Sequence, residues 1–232
     1  MFHKNKHKIF CISYQKNGTT SVGEFFKKNG FRVAGWKVSN INEWSMNWLK
    51  GEIDKIFKSK DFKAHQVFED DPWFLPEFYK VLYHKFPDAK FILVERNSDS
   101  WFKSLMNHQD GKTLGNTEIH SKIYKREKEF LDLVDKEEYD LLVYDFETKK
   151  NWFRLNINES LKDHYINCYE TYNKEVKYFF NFFDKERIIY LNLEDEFKWE
   201  KLAKFFQIKI PKGFNVHVNK GVYNKKLRKL SD

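Results

Sequence analysis

The segment Lys8–Asn29 constrains the fold more than any other part of the 232-residue chain. It opens with a short run, Lys8–Ser13, whose Ile9-Phe10-Cys11-Ile12 core is apolar without alternation. That is the pattern of a strand covered on both faces. It closes with Thr19–Asn29, where Val22, Phe25 and Phe26 share one helical face and Gly30 supplies the stop. Between the two lies Tyr14-Gln15-Lys16-Asn17-Gly18-Thr19-Thr20-Ser21. A buried strand that passes through a glycine-containing bend straight into a helix is the first half of a strand–helix–strand crossover, so the segment predicts an α/β fold.

The rest of the chain repeats the alternation. Phe31–Val33, Ala64–Phe68, Phe91–Val94 and Arg187–Leu191 read as further strands. Helices are expected at Asn42–Lys50, Glu52–Ser59, Leu75–His84, Ser98–Met106, Asn158–Phe183 and Trp199–Phe206, with Pro76 in a first turn and Ser98 as an N-cap. The stretch Gln109–Asn151 is more polar, and within it His120–Leu133 suits a charged helix. No repeat, low-complexity tract or linker divides the chain. The expectation is a single domain over residues 1–232: three layers, a mainly parallel central sheet flanked by helices, and a variable segment at about 109–156. In such sheets ligands bind beyond the carboxyl ends of the strands.

The first loop has the chemistry of an anion cradle. A helix N-terminus presents unpaired N–H groups and a partial positive charge. Gly18 lets the backbone approach an anion, Lys16 adds a full charge, and Thr19, Thr20 and Ser21 add hydroxyl donors. An ordinary capped turn would use the same threonines; Lys16, directly after the first strand, favours the cradle. The loop lacks the paired glycines and the Gly-Lys-Ser/Thr of a Walker A motif. Asp195, after Glu194, reads as a turn residue and not as a Walker B acid. A second candidate follows Phe91–Val94: Arg96 leaves that strand toward the same edge, and Ser104 lies two turns into the next helix. A guanidinium there suits a second phosphate. Alone, Arg96 would read as a surface cation paired with Glu95 or Asp99.

Charge agrees with an anionic ligand: 42 Lys and Arg against 34 Asp and Glu give a net +8. Nucleic acid or an anionic membrane face would fit the excess equally well. The two cysteines, Cys11 and Cys168, are too far apart in sequence to suggest a metal pair or a disulfide framework. No run reaches the length of a membrane span or a signal-peptide core, so a cytoplasmic location is expected.

Taken together, Lys16-Asn17-Gly18-Thr19-Thr20-Ser21 resembles the Lys-x-Gly-Thr-Thr loop of sulfotransferases that use 3′-phosphoadenylyl sulfate (PAPS). Arg96 followed by Ser104 is similar to their 3′-phosphate site. Pro87–Arg96 resembles their Pro-x-Ala-Lys-strand-Arg run, and Trp101 with Trp199-Glu200-Lys201-Leu202 looks like a small, single-domain branch of the family. The resemblance implies a P-loop-type fold, PAPS as sulfuryl donor without a metal, and a small-molecule or glycan acceptor. It implies nucleotide contacts from Lys16, Asn17, Gly18, Thr19, Thr20, Ser21, Arg96 and Ser104. Lys220-Gly221 stands where many members close an Arg-Lys-Gly element over the nucleotide.

For the base, the resemblance points to Phe68-Glu69-Asp70-Asp71-Pro72. Heparan-type members use a Glu near a Pro, which favours Glu69; the small branch has an Asp directly before Pro, which favours Asp71. Asp70 ranks third, and His65 is the outside candidate by analogy with cytosolic members. His108 and His120 are outside candidates for lining the acceptor pocket. Three alternatives stay open: a kinase of the same fold class, a catalytically inactive sulfotransferase-like scaffold, and a nucleic-acid-binding protein using the basic residues of Lys212–Lys229.

Overall fold

Five parallel strands form the centre of a computed structural model, which describes residues 7–108, 118–135, 142–145, 150–153 and 157–218. They are β1 (Ile9–Cys11), β2 (Val33–Ala34), β3 (Val67–Phe68), β4 (Lys90–Glu95) and, near the C-terminus, β7 (Ile188–Asn192). Their order across the sheet is β2-β3-β1-β4-β7. The register sets Phe10 beside Phe68 on one side and Phe91 on the other, and Ile92 beside Ile189. A separate antiparallel pair, β5 (Leu142–Asp145) and β6 (Lys150–Phe153), falls within the stretch expected to vary.

Alternation along β1 builds the two outer layers. Ile9 and Cys11 face a core with Val22, Phe25 and Phe26 of α1 (Thr19–Lys28) and Trp199 and Leu202 of α11 (Lys198–Phe205). Phe10 and Ile12 face the opposite core, with Leu82 of α6 (Phe78–Lys85) and Tyr169, Val176 and Phe180 of α10 (Lys162–Phe183). A strand apolar on both faces is therefore the middle of a three-layer sandwich. The second core is aromatic: Phe10 packs on Phe62, Phe68, Trp73, Phe86 and Phe91 with ring centroids 5.1–6.4 Å apart. Burying one such ring contributes about 1.5–3 kcal/mol.

The differences from expectation are local. Residues 36–64 hold four short helices, α2 (Trp36–Ile41), α3 (Trp44–Leu49), α4 (Ile53–Lys58) and α5 (Lys60–Ala64), where two were expected. Glu43 at φ 51° breaks the first pair apart. The single helix expected over His120–Leu133 is two, α8 (Glu118–Ile123) and α9 (Glu127–Asp135), separated at Lys125 with φ 53°. There the Arg126 side chain turns inward to the Tyr165 hydroxyl, 3.0 Å away, and ion-pairs with Glu129. Helix α6 starts at Phe78, so Pro76 precedes it. Among the described residues no helix is long and apolar enough to cross a membrane.

Candidate active site

Strand order decides what meets at the carboxyl edge. Because β1 lies between β3 and β4, the loop after β1 has the acidic triplet after β3 on one flank and Arg96, after β4, on the other. Residues 11, 69 and 96 thus leave neighbouring strands in the same direction, although 85 positions separate the first from the last.

The loop itself is held in an unusual conformation. Lys16 has φ 70° and Gly18, which precedes the first turn of α1, has φ 77°. A side chain at Gly18 would be strained at that angle, and its Cβ would lie 2.7 Å from Leu193 Cδ1. Gly18 O accepts from the N–H groups of Ser21 and Val22, closing the first helical turn. Asn17 is wholly buried. Its Nδ2 donates to Tyr14 O (3.1 Å), and its Oδ1 accepts from the Tyr169 hydroxyl (3.0 Å), so its side chain shapes the loop from within. Ser21 Oγ accepts from the N–H of Val218 (3.1 Å), while Thr20 is half-buried at the loop mouth.

Lys16 is half-buried, and its Nζ lies 2.8 Å from His108 Nδ1. Burial lowers the lysine's pKa, opposed by the charge of Asp70 and helped by that of Arg96. Both charges act on the one ammonium, which ties the three loops electrostatically. His108 is pushed down to about 4 by burial and by Lys16, so near neutral pH the ring is uncharged and accepts from the ammonium. His120, on α8, is also pushed down to about 4, by burial.

The acids separate into two environments. Glu69 is buried, 5% exposed, with its carboxyl wedged where only glycines fit: a Cβ on Gly35 would stand 2.3 Å from Glu69 Oε1, and one on Gly23 3.0 Å from Glu69 Cγ. Burial and the neighbouring Asp70 push its pKa up to about 8, while the Thr19 hydroxyl beside it favours the charged form. Its Oε2 is buried without a partner among the described residues. Asp70, at φ 73°, accepts from the N–H of Asp71 at Oδ1 (3.0 Å). Asp71 accepts from Ser45 Oγ at 3.1 Å. Burial raises both aspartates, Asp71 the further because Asp70 lies against it, while Lys16 favours the charged form of Asp70. Of the two, Asp70 is the one whose charged form Lys16 favours.

The acids nearest Arg96 are already engaged. Glu95 pairs with Lys177, and Asp99 with Lys162 at 2.7 Å. The surface ion pair with Glu95 or Asp99 that would have explained Arg96 is not formed, and its Nε is buried without a partner among the described residues. Its backbone N–H donates to the Tyr169 hydroxyl at 3.0 Å. Ser104 is half-buried on α7 (Ser98–Met106), two turns further on. Asp195 ion-pairs with Lys201 and caps a turn by accepting from the N–H of Phe197, as a turn residue should.

His65 is not brought to the site. It precedes β3, at the amino edge of the sheet, and its Nδ1 bonds Asp61 O (2.7 Å). Lys220 and Gly221 lie outside the described residues. The segment before them returns to the start of α1, where the Val218 N–H donates to Ser21 Oγ, and it is tied to α11 by Asn215, which accepts from Trp199 Nε1 (3.2 Å). Reading the sequence alone missed Tyr169 and Gln15. Gln15 Nε2 donates to the Tyr124 hydroxyl (2.7 Å) and Gln15 O accepts from Trp101 Nε1 (3.0 Å). Neither residue belongs to a local pattern, and their partners lie 86 or more positions away, except where Tyr169 meets Arg96.

Fold and site define a three-layer α/β protein whose central parallel strand delivers a lysine-bearing bend between a carboxylate pair and an arginine whose neighbouring acids pair with lysines. The profile of the sulfotransferase domain matches residues 8–222, and the chain belongs to that family of transferases. Solved structures similar to it include a sulfotransferase from Alicyclobacillus acidocaldarius, at 14% identity and a TM-score of 0.49, with 92% of this chain and 87% of that chain covered. No curated protein sequence matches.

Proposed function

We propose that the protein moves a sulfuryl group from PAPS to a hydroxyl or amine of an acceptor. The observation that carries this reading is the arrangement of cations. Lys16 and the N-terminus of α1 sit at one position on the sheet edge. Arg96 sits at another, and the acids beside it are held by Lys177 and Lys162. Two cationic positions on one edge of a parallel sheet suit a nucleotide with phosphates on both its 5′ and 3′ sides. Lys16, the Gly18–Thr20 backbone and the Thr20 hydroxyl would hold the 5′ end, and Arg96 with Ser104 the 3′-phosphate. When bound, PAPS supplies the sulfuryl group and leaves as 3′,5′-ADP.

The chain's own groups divide the remaining work. Asp70, whose charge and that of Lys16 act on each other, accepts the acceptor's proton at its carboxylate. This ranks Asp70 above Glu69 and Asp71. Glu69 is enclosed by Gly23 and Gly35 and favours its neutral form, and it acts as a buttress under the first turn of α1. Lys16 keeps a positive charge at the loop mouth in a half-buried setting, where a fixed charge acts more strongly than in water. His108 accepts from that ammonium and holds it in place.

A thermal-shift comparison tests the donor. The expected order of stabilisation is 3′,5′-ADP well above 5′-AMP, with ATP and magnesium at or below 5′-AMP. A larger shift with ATP and magnesium would favour the kinase reading, and steep salt-dependent binding to generic DNA the nucleic-acid one.

A further inference from the structure

Tyr169 belongs to neither nucleotide segment, yet one buried hydroxyl of its side chain joins them. It accepts from the backbone N–H of Arg96 (3.0 Å) and donates to Oδ1 of Asn17 (3.0 Å), with Arg96 O at 3.3 Å competing for the same proton. The residue is 1% exposed. Burial raises the phenol's pKa, so the proton needed for the bond to Asn17 stays in place. Its ring stacks on Trp101 at 4.4 Å and 7°, and Trp101 in turn donates from Nε1 to Gln15 O, the residue before Lys16.

The need for such a joint follows from the sheet. Pairing between β4 and β7 ends at Glu95 and Asn192, with one further bond from the Leu193 N–H to Glu95 O. Arg96 is the first residue beyond that pairing, so its N–H has no strand to donate to, and a buried N–H left unpaired is costly. The Lys16 bend likewise lies past the last paired residue of β1. Each segment is anchored by its own strand, and the sheet alone does not fix the gap between them.

We propose that Tyr169 is a positioning residue that sets the spacing between the Lys16 loop and Arg96, and thereby selects a nucleotide bearing anionic groups on both its 5′ and 3′ sides. This inference rests on the donor assignment above. A ligand that engages only the loop is indifferent to the spacing, whereas one that spans both segments depends on it.

The test is calorimetric titration of wild-type protein and Tyr169→Phe with 3′,5′-ADP and with 5′-AMP. The phenylalanine keeps the ring and its stack on Trp101 and removes the hydroxyl alone. The expected result is a loss of about tenfold in affinity for 3′,5′-ADP, with 5′-AMP changed by less than about twofold. In turnover, the KM for PAPS rises while kcat at saturating donor is largely kept. If Tyr169→Phe lacks a cooperative melt, Trp101→Phe, which removes the Nε1 bond to Gln15 O from the same linkage, is expected to give the same selective loss. Equal losses for the two nucleotides, or none for either, overturn the positioning role. A wild-type protein that binds neither nucleotide overturns the donor assignment itself, and the positioning role with it.

Discussion

Lys16 Nζ and His108 Nδ1 lie 2.8 Å apart, a contact between the end of α7 and the bend after β1. The histidine accepts because burial and the adjacent ammonium keep it neutral. The ammonium is thus held by a neutral acceptor, with the charge of Asp70 acting on it as well. Lys16→Ala is expected to slow sulfuryl transfer by about a hundredfold or more, the scale seen when a positioned charge stabiliser is removed. Steady-state kinetics with PAPS check this, and unchanged kcat would remove Lys16 from the chemistry.

The two aspartates are chemically unequal, and the assay can separate them. Asp70→Asn removes the carboxylate proposed as the base and is expected to lower kcat by about a hundredfold. Asp71→Asn keeps a hydrogen-bonding partner for both Ser45 and Asp70, so its loss should be smaller, within about tenfold. The reverse ranking would move the base to Asp71.

Arg96 carries no ion pair with Glu95 or Asp99, so its replacement leaves neither acid newly exposed. Arg96→Ala should keep the melting temperature within a few degrees and weaken 3′,5′-ADP binding by at least about tenfold, the worth of a charge-assisted contact to phosphate. Calorimetry giving wild-type affinity would place the 3′-phosphate elsewhere.

Glu69 links stability to pH. Its folded pKa, near 8, stands above the ordinary carboxylate value, so the folded state binds its proton more tightly than the unfolded chain. The contribution is fully present below about pH 4.5 and is lost as pH rises through about 8. His108 and His120, both pushed down to about 4, act in the opposite sense over a lower window, losing stability as pH falls from 6.5 toward 4. Glu69→Gln keeps the neutral shape between Gly23 and Gly35. Its melting temperature should match wild type at pH 5 and exceed it by several degrees at pH 8.5. A difference independent of pH would show that Glu69 does not ionise in this window.

Much of the frame was legible from local order in the chain. Ile9-Phe10-Cys11-Ile12 and Phe91–Val94 could only be strands covered on both faces, and Gly18 before a run of hydroxyl residues could only open a helix with its N–H groups bare. Lys16 and Arg96 were legible because each follows such a strand, and the chain direction of parallel strands sends both to one edge. Glycine and proline counts, by contrast, gave no warning of the breaks at Glu43 and Lys125, where non-glycine residues take positive φ in service of contacts elsewhere.

What the sequence determined by itself was the set of elements and the edge at which their loops emerge, since both depend on apolar periodicity and chain direction over a few residues. Only the tertiary structure decided which of three consecutive acids feels the charge of Lys16, which cation holds each neighbour of Arg96, and that a tyrosine 152 positions from Asn17 joins the loop to Arg96. Protonation states and hydrogen-bond partners are set by burial and by groups brought together through the β2-β3-β1-β4-β7 order, and those distances exist only once the sheet has formed.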